Sequence, residues 1–387
     1  METDRTRSGS PAPGPEAGGR VPRVVVTGAT GLIGGALVKR LLGGGHVYAL
    51  GRVPPKERGL PEGPGLDWFR ADIARLDELQ PVFGAIRDRG GADVLVHLAG
   101  YYDLTLEESP EYERTNVLGT RNVLELAETL GLRLLVFTSS VAACAFPPPG
   151  GAVDEATPAD GDGPYARSKR AGEELVREAR EKLPTCIVRP GAVFSAWGEF
   201  PALDALLSAW CAGGLRGRLL GGRGDSAVPY VHVEDVADAF ALLASRREPL
   251  EPAEVLIASP DGATTHRELF TAATACLPGG PRRPIPVPRP VARLGIALRE
   301  RLGHFTGRMP FERSWMADYI DRRLAVNAAR SRARTGWSPD PRQSVLATLP
   351  EMVANLSQRP DEWLRIRRLR GKWPPPAPGR VYTRPRP

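Results

Sequence analysis

The sequence predicts an α/β protein: a Rossmann-type doubly wound parallel sheet with a smaller, interleaved C-terminal substrate-binding region. Three observations point there. The β-branched run Arg23-Val24-Val25-Val26-Thr27 shows no alternation, as a strand buried on both faces of a parallel sheet requires. A glycine turn follows at once and opens a helical stretch. Further along, apolar runs alternate with helical ones, the pattern of βαβ units.

After the turn, Ala36 to Leu42 reads as a helix stopped by Gly43-Gly44-Gly45. His46 to Leu50 is a second strand. Asp93 to Leu98 and Leu134 to Thr138 are two more, with a helical stretch from Val117 to Leu130 between them. Ile187-Val188-Arg189-Pro190 is a later strand ending at a proline. A dinucleotide-binding domain is therefore expected over residues 21–190, and a substrate-binding region with Pro-rich connections over 191–350. Within the latter, Val233 to Leu243 and Val255 to Ala258 look like Rossmann-side elements, so the regions interleave over roughly 230–258. A C-terminal helix is expected over 351–372, its Glu362 to Leu369 stretch docked on the fold. The ends, 1–20 and 373–387, are rich in Pro and Gly and read as disordered tails.

Composition narrows the class. Apolar residues at 42% and charged ones at 25% suit a globular protein able to build a large core. No stretch approaches the roughly 20 apolar residues of a membrane span, so no stable membrane insertion is expected. Met1 to Arg20 has no hydrophobic signal core. Cys144, Cys186, Cys211 and Cys276 are scattered, which suggests reduced thiols and a cytoplasmic setting. No His, Cys or acidic cluster has metal-ligand spacing, so no metal is expected. The net charge of +7 comes from arginines spread along the chain and concentrated near Arg365, Arg367, Arg368, Arg370 and Lys372. Because no basic run is interleaved with aromatics, the reading is a solvated basic face and no nucleic-acid partner.

The turn Gly28-Ala29-Thr30-Gly31-Leu32-Ile33-Gly34 has the spacing GxxGxxG directly after a strand. Small residues let the backbone approach a pyrophosphate, whose charge sits at the helix N-terminus. With 43 glycines in 387 positions the bare pattern would arise by chance roughly 0.5 times, so its context gives it weight. At the end of the second strand, an acid would bond the ribose hydroxyls of NAD. Gly51-Arg52 stands there instead, and a guanidinium suits a 2′-phosphate. The cofactor reading is NADP, with NAD as the alternative. Asp72-Ile73, after a third predicted strand, is placed to meet the adenine.

Tyr165-Ala166-Arg167-Ser168-Lys169 puts a phenol and an ammonium one helical turn apart. Eight tyrosines and five lysines would give roughly 0.1 such pair by chance. The chain uses 47 arginines, yet the base here is lysine. A compact ammonium can bond a ribose and lower the phenol's pKa toward the working pH. Upstream, Thr138-Ser139-Ser140 closes a strand, where a hydroxyl can hold a substrate carbonyl. Asn116 opens the predicted helix at 117, where asparagine commonly serves as an N-cap.

Together, Thr27-Gly28-x-x-Gly31-x-x-Gly34, His97-Leu98-Ala99-Gly100, Asn116-Val117-x-Gly119-Thr120, Thr138-Ser139-Ser140 and Tyr165-x-x-x-Lys169 resemble the extended short-chain dehydrogenases/reductases. That group is also called the NAD-dependent epimerase/dehydratase family. Arg189-Pro190-Gly191 and Tyr230 to Ala237 resemble its later signatures, and the likeness runs from about Val21 to Trp337. It implies Tyr165 as acid/base, Lys169 as electrostatic partner and ribose anchor, and Ser140 as the carbonyl-orienting hydroxyl. Cofactor contacts are implied at Gly28, Thr30, Gly31, Leu32, Ile33, Gly34, Leu98, Ala99, Gly100, Asn116, Tyr165, Lys169 and Pro190, beside Arg52, Asp72 and Ile73. A homodimer is a family expectation. His97 and His232 fall in strand motifs where packing or hydrogen bonding is the expected role.

The resemblance also divides the reactions. Sugar 4,6-dehydratases of the family carry an Asp-Glu pair after the strand-end hydroxyl, and Val141-Ala142 stands there instead. Nucleotide-sugar epimerases usually show an Asn-x-Tyr-Gly-Pro-like stretch where this chain has Arg189-Pro190-Gly191-Ala192-Val193-Phe194. The reading is an NADP-dependent oxidoreductase acting on a small-molecule carbonyl or alcohol. Two alternatives remain: a nucleotide-sugar epimerase with bound NAD, and a non-catalytic dinucleotide sensor or scaffold. Phe146, Trp197, Phe200 and Trp210 are read as core aromatics, with an apolar pocket as the alternative.

Overall fold

The computed structural model describes residues 21–103, 107–306 and 310–370. The expected tails and Lys372 lie outside the described residues. Strand β1 (Arg23–Thr27) runs into the glycine turn, and α1 (Leu32–Leu41) starts inside that turn, four residues earlier than the sequence suggests. It starts there because Gly34 belongs to the helix and lets it press against the turn. β2 (His46–Gly51), β3 (Leu66–Arg70), α2 (Leu76–Asp88) and β4 (Val94–His97) follow. The next helix begins earlier than Val117, with a wide π-helical turn over Tyr112–Leu118 that passes into α3 (Gly119–Ala127). Its start signal is Ser109-Pro110, where Ser109 Oγ accepts the Glu111 N–H at 3.3 Å. Asn116 therefore sits inside the helix and is not its N-cap. β5 (Leu134–Thr138), α4 (Pro164–Ala179) and β6 (Thr185–Pro190) complete this half.

Beyond β6 come β7 (Ala192–Phe194), α5 (Pro201–Cys211), β8 (Leu219–Gly221), β9 (Ala227–Val228) and β10 (Tyr230–His232). The chain then returns to the sheet through α6 (Val233–Ser245) and β11 (Glu254–Ala258), and leaves it again. β12 (Thr264–Thr265), α7 (His266–Ala275), β13 (Ile285–Val287), α8 (Arg289–Thr306), α9 (Ala329–Thr335), α10 (Val345–Gln358) and α11 (Pro360–Arg370) finish it. In place of one helix over 351–372 there are two. Pro360 is disfavoured behind a helical residue 359 but suits the first turn of a new helix.

The main sheet has seven parallel strands in the order β11-β6-β5-β4-β1-β2-β3. One face is packed by α1 and α6, through residues such as Leu37, Val236 and Phe240. The other is covered by α2, α3 and α4, through Phe83, Val123 and Val176. A separate apolar core joins α5, α7, α10 and α11 around Trp210 and Trp363. The direction of winding reverses between β1 and β4, so a crevice opens at the carboxyl ends of those two strands. That crevice is where the motifs converge.

Candidate active site

At the reversal point Gly28 has φ +67°, a left-handed conformation that an L side chain would strain. A Cβ on it would stand 2.7 Å from Ala99 N, and one on Gly34 would stand 2.2 Å from the Gly28 carbonyl oxygen. Both glycines are thus required by backbone-to-backbone approach. The first turn of α1 holds no acidic residue, and its N-terminus has no side-chain cap. Orphan N–H groups and the positive end of the helix dipole therefore face the crevice, as a bound pyrophosphate would need. Thr27 Oγ1 accepts the Ala99 N–H at 3.2 Å and bonds His97 Nδ1 at 2.7 Å, while His97 Nε2 meets Thr120 Oγ1 at 3.1 Å. Burial pushes the His97 pKa down to about 3. His97 is a neutral tie between β1, β4 and α3.

Next to the turn, Arg52 and Arg58 both line the crevice. Arg58 Nε is buried with no hydrogen-bond partner, and burial pulls the guanidinium below its ordinary pKa. An unpaired buried donor is costly, so an anion at this spot would stabilise it. A side chain at Gly51 would begin 2.9 Å from the Trp68 ring, which leaves no room for a ribose-binding acid there. Asp72 ion-pairs with Arg114 and accepts the Ala74 N–H at 3.0 Å. Against its burial, the Arg114 guanidinium and the Ala74 N–H hold its carboxyl below the usual range, and the Arg52 charge adds to this. Ile73 turns inward, its Cδ1 close against Gly119.

Further along the crevice, Tyr165 and Ser140 both line the wall, and Ser140 Oγ accepts the Ala142 N–H at 3.1 Å. Lys169 is buried. Its Nζ donates to the Thr138 carbonyl at 2.8 Å and lies 5.9 Å from the centre of the Tyr165 ring. Burial lowers the Lys169 pKa to about 8, against the raising influence of Glu173. Burial also pushes the Tyr165 phenol up to about 12, with the nearby Ser140 hydroxyl acting against it. The expected lowering of the phenol is thus overturned in the protein by itself. The ammonium points at a backbone carbonyl, and the phenol is desolvated.

The helix carrying this pair is held by a buried network. Glu173 accepts Arg189 Nε and Nη2, both at 2.8 Å, and the Ser139 hydroxyl at 2.6 Å. Arg189 Nη1 reaches the Thr157 carbonyl at 2.6 Å. A bidentate pair of this kind fixes α4 on β5 and β6. Asn116 accepts the Tyr101 N–H at 2.6 Å and donates to the Tyr101 carbonyl and Ser168 Oγ, each at 2.9 Å. It pins the loop after β4 to α4, and the π-helical turn aims it inward.

One continuous cleft of about 1890 Å³ runs from the glycine turn past Ser140 and Tyr165 to α8. That is larger than the roughly 300–1,000 Å³ of a single small-ligand pocket and has room for a dinucleotide and a second molecule. The sequence profile of the NAD dependent epimerase/dehydratase family matches residues 24–258. The chain belongs to this family. Relatives bear this out. The chain is 30% identical over 299 residues to UDP-glucose 4-epimerase of Mycolicibacterium smegmatis, covering 74% of this chain and 91% of that protein. It is 34% identical over 181 residues to a putative dihydroflavonol 4-reductase of Synechocystis sp., covering 46% of this chain and only 50% of that one. Among solved structures, the terminal R domain from the myxalamid PKS-NRPS biosynthetic pathway has a TM-score of 0.71 at 22% identity, covering 90% and 93% of the two chains. That likeness is one of fold. As a member of the epimerase/dehydratase family, the chain is an NAD(P)-dependent enzyme.

Of the site residues read from the sequence, Gly28, Thr30, Gly31, Leu32, Ile33, Gly34, Arg52, Leu98, Gly100, Ser140 and Tyr165 line the cleft. Asp72, Ile73, Ala99, Asn116, Lys169 and Pro190 are not on its wall and form a layer behind it. Phe146, Phe200 and Trp210 line the cleft, whereas Trp197 stacks under the Arg359 guanidinium at 4.4 Å. Arg58, Tyr102 and the Glu173–Arg189 pair were missed. Tyr102 meets the Tyr165 ring edge-on at 4.7 Å. Among the described residues there is no group of three metal-ligating side chains, and no helix is long and apolar enough to cross a membrane. All four cysteines are free thiols.

Proposed function

We propose that the chain is an NADP(H)-dependent oxidoreductase that interconverts a small-molecule carbonyl and its alcohol, with Tyr165 as acid/base. The observation that carries this reading is the Tyr165 phenol, placed with Ser140 on the wall of the same cleft as the glycine turn and Arg52. Gly28, Gly31 and Gly34 with the α1 N-terminus would hold the pyrophosphate, Arg52 and Arg58 the 2′-phosphate, and Lys169 the nicotinamide ribose. Bound as NADPH, the cofactor supplies a hydride. In the reducing direction Ser140 orients the substrate carbonyl, and Tyr165 gives its phenolic proton to the carbonyl oxygen as that oxygen gains charge. A phenol held near 12 is fully protonated at neutral pH, which suits a proton donor. The nearby Lys169 charge then favours the phenolate left behind.

The extent of the match to a UDP-glucose 4-epimerase supports a second reading, a tightly held NAD that is reduced and reoxidised within one turnover. One experiment separates them. Purified protein is titrated with NADPH and NADH by cofactor fluorescence, then screened against carbonyl classes by loss of reduced-cofactor absorbance. Net NADPH consumption with tighter NADPH binding is the expected result. Retained NAD and sugar-nucleotide epimerisation without net consumption would overturn the proposal.

A further inference from the structure

Helix α8 departs from the packing of the rest of the molecule. It has 18 residues, and of these only Gly303 is buried. Val291, Leu294, Leu298, Leu302 and Phe305 are 58%, 71%, 66%, 60% and 91% exposed. At roughly 100° per residue these five fall within an arc of about 80°, so they make one continuous apolar stripe. A surface helix ordinarily turns such a stripe toward the core, and this one turns it outward.

The charges around the stripe indicate what covers it. Residues 282–306 hold six arginines and one acid, Glu300, which bonds Ser314. Arg293 and Arg299 meet Asp318 and Glu312 at 3.3 and 3.2 Å. Arg282 and Arg289 instead reach the carbonyl oxygens of Trp210 and Asp318, which leave their charge uncancelled. β13, just before α8, pairs with β8, bringing in exposed Leu219, and Arg218 donates to the Arg283 carbonyl. On the same wheel Arg289 and Arg293 fall opposite the stripe, whereas Arg301 and Arg299 fall about 20° and 60° beyond its two edges, so a second copy would bring like charges together along those edges. An anionic lipid surface would take both the apolar residues and the arginines.

We infer that α8 lies in the headgroup boundary of an anionic membrane, its stripe inserted and the flanking Arg299 and Arg301 on lipid phosphates. The same helix lines the cleft through Ala292, Ile296 and Arg299 and through Val291 and Leu302 at the border of the stripe. The cleft therefore opens beside the lipid boundary, where an apolar molecule can enter without crossing water. Docking stands on α8 alone and does not depend on the oxidoreductase reading.

The test uses full-length protein and flotation with vesicles of phosphatidylcholine, with or without phosphatidylglycerol. The protein is expected to float with the anionic vesicles, to do so less at high salt, and to stay behind with phosphatidylcholine alone. The double variant Leu298→Asp/Phe305→Asp, which replaces no residue of the cleft wall, should lose vesicle affinity by about a hundredfold while keeping NADPH affinity. No flotation, or equal flotation of the variant, would overturn the inference. So would a concentration-dependent dimer that the same pair of substitutions abolishes, since the stripe would then be a contact between copies. Absence of NADPH turnover would sink the oxidoreductase reading and leave this result untouched.

Discussion

Replacing Lys169 by methionine should make the fold more stable while stopping the chemistry. The ammonium is buried, and its pKa falls from the ordinary 10.5 to about 8. At 1.36 kcal/mol per unit, that drop is on the order of 3 kcal/mol of penalty for holding the charged form inside the protein. Methionine fills similar space without the charge but loses the bond to the Thr138 carbonyl, worth about 1 kcal/mol. The variant should therefore gain on the order of 2 kcal/mol at neutral pH. The sign with pH follows from proton counting. Between about 8 and 10.5 the unfolded chain keeps the Lys169 proton and the folded one has released it, so rising pH favours the folded wild type. The variant has no such group, so its advantage is full below pH 8 and closes across that window. Urea unfolding of both cofactor-free proteins at a series of pH values measures this directly. A wild type more stable at neutral pH, or a gap that does not change with pH, would refute the assignment of a buried, charge-strained lysine.

Three other outcomes can be checked in the same way. Arg52→Ala and Arg58→Ala should each weaken NADPH relative to NADH by about tenfold or more, since a bond to a charged group contributes roughly 1.5–3 kcal/mol; an unchanged ratio in fluorescence titrations would remove both from the 2′-phosphate. Glu173→Gln should cost about 3–5 kcal/mol in urea unfolding because Arg189 would be left buried and unpaired, and a loss below about 1 kcal/mol would argue against it. Because Tyr165 keeps its proton up to about 12, carbonyl reduction should show no loss from this group across the neutral range. Alcohol oxidation, which needs the phenol deprotonated, should rise with pH; a Tyr165-dependent fall in reduction near neutral pH would contradict the protonated donor.

How much was legible in the sequence follows from the range of each interaction. β1, the glycine turn and the Tyr165–Lys169 spacing are local patterns, and the parallel sheet follows from strands alternating with helices. Arg58 carried no local signal, because its place on the cleft wall is set by the loop after β2. Arg189 read as a strand residue and Glu173 carried no signal of its own; only the packing of α4 on β6 makes them a pair. Asn116 looked like a cap because the Ser109-Pro110 start lay upstream, and the π-helical turn has no sequence signature. The phenol's pKa moved the other way because pairwise attraction can be read from spacing, whereas desolvation depends on the whole fold. The stripe on α8 was legible as an amphipathic period, yet periodicity does not say which way a face turns.

Single-turnover hydride transfer in Tyr165→Phe tests the central claim most directly. Wild-type protein and variant are mixed with NADPH and a carbonyl found active in the screen, and loss of reduced-cofactor absorbance is followed. The phenol's proton transfer should be worth about 10²–10⁴-fold in rate, with NADPH affinity within a few-fold of wild type. Turnover that survives the substitution undiminished would contradict Tyr165 as the acid/base.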